Sequence, residues 1–140
     1  MPLTILFLST GNSCRSQMAE GWARHFAGPS MTVMSAGIEA HGKNPRAIAV
    51  MAETGIDISS QESTRVTDAM LAQADIVITV CGHAAEHCPC LLPGTQKRHW
   101  PLSDPARARG SEAQIMHQFR AVRNEIRDRV RALIEELSNK

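Results

Sequence analysis

Tyrosine is absent from this 140-residue chain, aromatic residues make up only 4% of it, and its charges nearly cancel, leaving a formal net charge of +1. Near-neutrality gives no electrostatic reason to expect nucleic acid as a partner. No apolar run approaches the roughly 20 residues needed to span a bilayer. Pro2-Leu3-Thr4 offers neither the charged n-region nor the small-residue cleavage site of a signal peptide. The protein is therefore expected in the cytoplasm, without nucleic acid or membrane as partners. Repeats, linkers and low-complexity tracts are also missing, so residues 1–140 are expected to form one domain whose core needs no disulfide or metal. Cysteine is sparse, with Cys14, Cys81, Cys88 and Cys90 making four. In a reducing compartment such thiols are catalytic, redox-active or metal-binding rather than structural staples.

What is present alternates between two periods. Leu3 to Leu8 is an apolar, strand-compatible run, after which Met18, Ala19, Trp22 and Phe26 recur at helical spacing up to Gly28-Pro29. A second strand is expected from Met31 to Ser35. "HGKNPRAIAVMAETG" opens a helix with Pro45 in its first turn and places Ile48, Met51 and Ala52 on one face before Gly55. Asp68 to Ala74 fits a short helix. "DIVITV", Asp75 to Val80, is the almost wholly apolar pattern of a central strand covered on both faces. Gly82 to Cys88 is polar with helical character, and Arg98 to Trp100 fits a short strand. Ile115, Phe119, Val122, Ile126, Val130, Leu133 and Leu137 form one stripe on a long C-terminal helix. This alternation predicts an α/β fold, a three-layer open sheet of about four parallel strands flanked by helices, with ligands bound at the carboxyl ends of the strands.

"STGNSCRS", Ser9 to Ser16, lies at such an end. A strand-to-helix loop aims consecutive backbone N–H groups at one point, and the helix N-terminus adds partial positive charge there. Gly11 is expected to adopt a backbone conformation closed to most residues, and Asn12 tolerates it better than most. Arg15 supplies a planar fork for two oxygens. Thr10, Gly11, Asn12, Ser13, Cys14, Arg15 and Ser16 are thus candidate ligands of a tetrahedral oxyanion. The Gly-x-x-x-x-Gly-Lys-Ser/Thr pattern of nucleotide P-loops is missing. A Gly-Asn turn by itself is more often a capped connection with a solvated arginine, so the rest of the chain decides.

One residue, five others, then Arg-Ser at the end of the first strand resembles the low-molecular-weight tyrosine phosphatase fold. "TGNSCRSQMAEGWA", "SAGIEAHGKNP", "GIDIS", "DIVITVCG" and "HWPLSDPARA" more closely resemble the thioredoxin-coupled arsenate reductases built on that fold. The resemblance implies that Arg15 and the loop hold arsenate and that Asp104 is the general acid. It implies that Cys81 attacks the sulfur of a thiol-arsenic adduct, releasing arsenite, and that a Cys81-Cys88 disulfide is then presented to thioredoxin. Arsenate to arsenite takes two electrons, which a pair of thiols yields on becoming a disulfide. "CPC" offers Cys90 as a neighbouring candidate; family spacing favours Cys88, while Cys90 keeps glutaredoxin open as the donor. Cys14 is implied to be a structural thiol pointing away from the ligand. Family members are usually monomeric.

Several alternatives remain at this level. Asp104 precedes Pro105, the common setting of a turn aspartate. A phosphatase uses the same loop, although "DPARA" lacks the tyrosines usual after its acid. Cys81, Cys88 and Cys90 lie near His83, His87 and His99, but their spacing is not the two tight ligand pairs of structural zinc, which leaves metal binding unassigned. No tightly bound cofactor is expected. Asn12, Glu20 and Ser35 match a monovalent-cation site of some relatives, while Thr64 stands where an aspartate would complete it; the alternative for Asn12 and Ser35 is that they stabilise the turn through hydrogen bonds. The largest departure is Ser9, where the family carries the nucleophilic cysteine. Loop N–H dipoles and an arginine lower a thiol's pKa, whereas a serine hydroxyl stays protonated at neutral pH and supplies no sulfur to Cys81. Oxyanion binding without turnover is expected. With the acid, arginine and both later cysteines retained, an introduced cysteine-to-serine change fits better than a natural pseudoenzyme.

Overall fold

Each apolar run finds its neighbour across a helical crossover, and this makes the sheet parallel. The computed structural model describes residues 3–86, 88 and 91–139. Among them, β1 (Thr4–Ser9), β2 (Thr32–Gly37), β3 (Ile76–Thr79) and β4 (Gln96–His99) form one sheet of order β2-β1-β3-β4 with every pair parallel. The helices are α1 (Arg15–Ala27), α2 (Pro45–Ala52), α3 (Asp68–Gln73), α4 (Gly82–Glu86) and α5 (Glu112–Ser138).

Strand alternation splits the core into the expected layers. Ile5, Phe7, Ile76 and Ile78 face one side, where they pack with Met18 and Trp22 of α1 and with Phe119, Ile126 and Val130 of α5. Leu6, Leu8 and Val77 face the other, against Leu71 of α3 and Ala84 of α4. β1 and β3 carry side chains into both clusters, so both read as near-continuous apolar runs. No helix among the described residues is long and apolar enough to cross a membrane.

The stripe on α5 is buried from Phe119 to Leu137, with Ile134 joining it and Ile115 only half-buried. Ser111 starts that helix with a capping box: its hydroxyl accepts from Gln114 N, and Gln114 returns a bond to the Ser111 backbone. The fourth strand lies two residues earlier than expected. Gln96, Lys97 and His99 are exposed, as suits an edge that must repel further pairing, whereas Trp100 has left the strand to pack against Phe7 with ring centroids 5.8 Å apart. The helix expected over Gly82 to Cys88 ends at Glu86, leaving Cys88 outside it.

Gly37 closes β2 opposite Ser9. A Cβ built there would lie 2.2 Å from Glu39 O and 2.8 Å from both Asn12 N and Thr10 O. All three are backbone atoms of the segments that meet at the sheet's carboxyl end, so none can swing aside. Gly37→Ala is expected to cost about 1–3 kcal/mol of unfolding free energy, measured by urea denaturation.

Candidate active site

β1, β3 and the segment after β4 all end on one edge, and the loop from Ser9 to Cys14 turns there into α1. Its carbonyls point away from that edge. Ile38 N donates to Ser9 O (3.0 Å), Glu39 N to Thr10 O (2.8 Å), His41 N to Gly11 O (2.9 Å) and Asn44 N to Ser13 O (3.1 Å). In a trans peptide the following N–H points opposite to the carbonyl, so the N–H groups of Thr10, Gly11, Asn12 and Cys14 are turned the other way. Asn12 N makes the direction visible, because it donates to Ser9 Oγ at 3.0 Å. α1 starts with no side-chain cap on Cys14 and no acidic residue in its first turn, leaving its end suited to an anion.

The left-handed residue of this loop is Asn12, with φ 50°, and not Gly11. Gly11 is needed for close approach: a Cβ there would lie 2.3 Å from His41 Nδ1. Asn12 is fully buried, and its side chain is hydrogen-bonded at both ends. Nδ2 donates to Ser16 Oγ (2.8 Å) and Ser35 Oγ (3.0 Å), while Oδ1 accepts from Thr64 N (2.8 Å) and Gln17 Nε2 (3.1 Å). The side chains of Asn12 and Ser16 therefore brace the loop from behind rather than ligate an anion, a correction to their expected role. Ser16 Oγ lies 2.7 Å from Ser9 Oγ.

In front of the loop is a cavity of about 560 Å³ bordered by Ser9, Thr10, Gly11, Ser13, Cys14 and Arg15, with Cys81 and Asp104 across from them. Arg15 donates through Nη1 to Leu102 O at 3.0 Å, and its Nη2 lies 3.5 Å from Asp104 Oδ2. Asp104 is the turn aspartate expected before Pro105, since Oδ1 accepts from Ala106 N at 3.0 Å and caps the turn Pro105–Arg107, while Oδ2 is the oxygen turned to Arg15. Cys81 is buried, with Thr10 Oγ1 3.1 Å from its sulfur and Ala84 N donating to it at 3.3 Å. Position 9 and Cys81 thus share one cavity although they are far apart in sequence.

The other cysteines differ. Cys14 borders the cavity, yet its thiol belongs to the main core cluster, and burial pushes its pKa up to about 11. It stays a neutral thiol at physiological pH. Cys88 does not border the cavity; it is half-buried against the Leu6, Leu8 and Val77 cluster, to which Cys81 also belongs. His87 and Cys90 lie outside the described residues. Among the described residues no group of three His, Cys, Asp or Glu side chains could hold a metal, and His99 Nδ1 is engaged by Thr79 Oγ1 at 2.8 Å.

The monovalent-cation set does not fit either. Asn12 turns its amide nitrogen, a donor, toward Ser35, and the Ser35 hydroxyl donates to Glu20 Oε1 at 2.5 Å. Thr64 contributes its backbone N–H to Asn12 instead of a carboxylate. Sequence reasoning missed His41, Gly82, Ala106 and Arg107 on the cavity wall. For His41 the available signal was its place just beyond β2, the strand that pairs with β1. Its imidazole Nε2 is 2.6 Å from Glu39 Oε2 at the rim.

The chain is similar over nearly its whole length to known proteins. The family described as "Low molecular weight phosphotyrosine protein phosphatase" matches residues 4–140. An arsenate reductase of Bacillus subtilis (strain 168) is 51% identical over 131 residues, covering 94% of each chain. A solved arsenate reductase in its phosphate-binding state is 37% identical with a TM-score of 0.78, over 96% of this chain and 98% of that one. A thioredoxin-dependent arsenate reductase of Corynebacterium glutamicum is 29% identical with a TM-score of 0.79, over 98% of this chain and 62% of the other.

Alkylation tests the division among the cysteines. A pKa raised from 9.0 to about 11 means that the folded protein holds the Cys14 proton after the unfolded chain has lost it. The stabilisation is complete below pH 9 and is lost as pH rises toward 11. Cys14 is expected to resist iodoacetamide in the folded protein at pH 8 and to react in urea, read by peptide mass spectrometry.

Proposed function

The chain belongs to the low molecular weight phosphotyrosine protein phosphatase family, among its arsenate reductases, and on that premise we propose that it binds arsenate in the Ser9–Arg15 loop and carries the apparatus of a cysteine relay lacking its first sulfur. The observation that carries this reading is Cys81: a phosphatase needs only the nucleophile, Arg15 and Asp104, whereas here a second thiol borders the same cavity.

With cysteine at position 9 the electrons balance as follows. Its thiolate displaces an oxygen of arsenate, and Asp104 protonates the departing oxygen. The Cys81 thiolate attacks the arsenic-bound sulfur; an S–S bond forms, the S–As bond breaks, and its electron pair stays on arsenic as arsenite. Cys88 then attacks Cys81, freeing the first thiolate, and thioredoxin reduces the Cys81-Cys88 disulfide through its own dithiol. Cys88 does not border the cavity, so the disulfide leaves the cavity in this step. The protein acts as a monomer and needs no bound cofactor.

Ser9 stops the sequence at binding. Its hydroxyl receives the Asn12 N–H and pairs with Ser16, an environment that would favour an anion at this point. A hydroxyl stays neutral there, and no sulfur is available for Cys81 to attack.

Arsenite production coupled to thioredoxin, thioredoxin reductase and NADPH separates the cases. The chain as it stands is expected to give none while Ser9→Cys turns over. Equal turnover by both would refute the relay, and efficient phosphate-ester hydrolysis by Ser9→Cys without arsenite would assign it to phosphatase chemistry.

A further inference from the structure

The hydrogen-bond chain behind Ser9 does not end inside the protein. It runs from Ser9 Oγ through Ser16 Oγ (2.7 Å), Asn12 Nδ2 (2.8 Å) and Ser35 Oγ (3.0 Å) to Glu20 Oε1 (2.5 Å). Its last member is Arg24, whose Nε donates to Glu20 Oε2 at 2.8 Å. The guanidinium is held on a second side as well, because Nη2 lies 2.8 Å from Glu20 Oε2 and donates to Val33 O at 2.8 Å. Arg24 is thus fastened both to its own helix and to β2.

The charges explain why something must stand there. The Glu20 side chain is only 8% exposed, and a carboxylate that deeply set is costly without a cation beside it. Arg24 reaches it from a side chain 57% exposed, at the border of a shallow cavity of about 470 Å³ that also touches Ser35 and Thr64. One carboxylate and one guanidinium leave the cluster neutral. The oxygens that a metal ion would need are already occupied: Glu20 Oε1 by Ser35, Glu20 Oε2 by Arg24, and Asn12 Oδ1 by Thr64 N and Gln17. Two more acidic residues border that cavity, Glu62 and Asp57, and Asp57 Oδ1 accepts from Ser59 N at 2.8 Å.

We propose that Arg24 is a built-in cation that takes the place of a bound monovalent ion, anchoring through Glu20 and Ser35 the Asn12 conformation that shapes the oxyanion loop. Arg24 is a positioning residue and touches no substrate. Its effect on the site rests on the oxyanion reading of the loop; its independence of potassium does not.

The test compares the chain with Arg24→Met and Arg24→Lys in KCl and in choline chloride of equal ionic strength, reading the Tm and the affinity for inorganic phosphate by calorimetry. The parent is expected to have the same Tm in both salts. Arg24→Met is expected to lose about 3–8 °C in choline chloride and about threefold to tenfold in phosphate affinity. Potassium should restore part of each loss by entering beside the uncovered Glu20, and Arg24→Lys should restore part of each in both salts. A potassium-specific rise in the parent's Tm as large as that of Arg24→Met would overturn the proposal, since the ion would then bind beside Arg24. Stability and affinity unchanged in Arg24→Met would overturn it too. If the parent binds no phosphate, the oxyanion reading falls, and the salt dependence of Tm still decides the role of Arg24.

Discussion

The active-site edge depends on a backbone exchange between two loops. Each carbonyl of the Ser9–Ser13 turn that meets an N–H from the 38–44 segment fixes the opposite face of a peptide plane toward the cavity. That exchange requires β1 and β2 to be parallel and in register, with Ser9 opposite Gly37, because only then do the two chains leave the sheet side by side. Gly37 keeps them close, Gly11 admits His41, and Asn12 takes the one left-handed conformation in the loop. An anion site of this kind is preorganised: its donors are oriented before any ligand arrives, so binding pays no cost for arranging them.

Three cysteines of one chain have three different chemical settings. Cys14 is drawn into the main core, where burial keeps its proton on. Cys81 shares the cavity with position 9, and its sulfur meets a hydroxyl and a helix N–H. Cys88 is half-buried against the second core cluster and does not border the cavity. A relay of disulfides needs this asymmetry, since a thiol in the cavity must react first and one nearer the surface must carry the disulfide outward. Asp104 divides its work in the same economical way, holding its own turn with one oxygen and facing Arg15 with the other.

Much of the fold was legible because burial on both faces writes itself as apolar runs. β1 and β3 are of that kind, and α5 shows its stripe over its whole length. β4 was placed two residues late because an edge strand carries charge and breaks the apolar signal, while Trp100 belongs to the core without belonging to the strand. In the site, Ser9, Arg15, Cys81 and Asp104 were found from motif and resemblance, and the cavity brings all four together. Gly11 was assigned the wrong reason, since chain torsion and close packing both call for glycine and leave the same letter. Asn12 and Ser16 were read as oxyanion ligands, with turn bracing as the alternative for Asn12; a loop residue's letter does not say which side its side chain takes, and both side chains brace the loop.

Composition and spacing by themselves determined the class of the fold and the position of the strand-to-helix loop, since these follow from local periodicity, whereas a sulfur at position 9 is implied only by the resemblance. The tertiary structure decided which groups meet. His41 on Gly11, Cys81 beside Thr10, and the chain from Ser9 to Arg24 all join residues brought together by strand order and helix packing. Such contacts are set by the register of β1 against β2 and β3, a long-range pairing that no short stretch of the chain encodes.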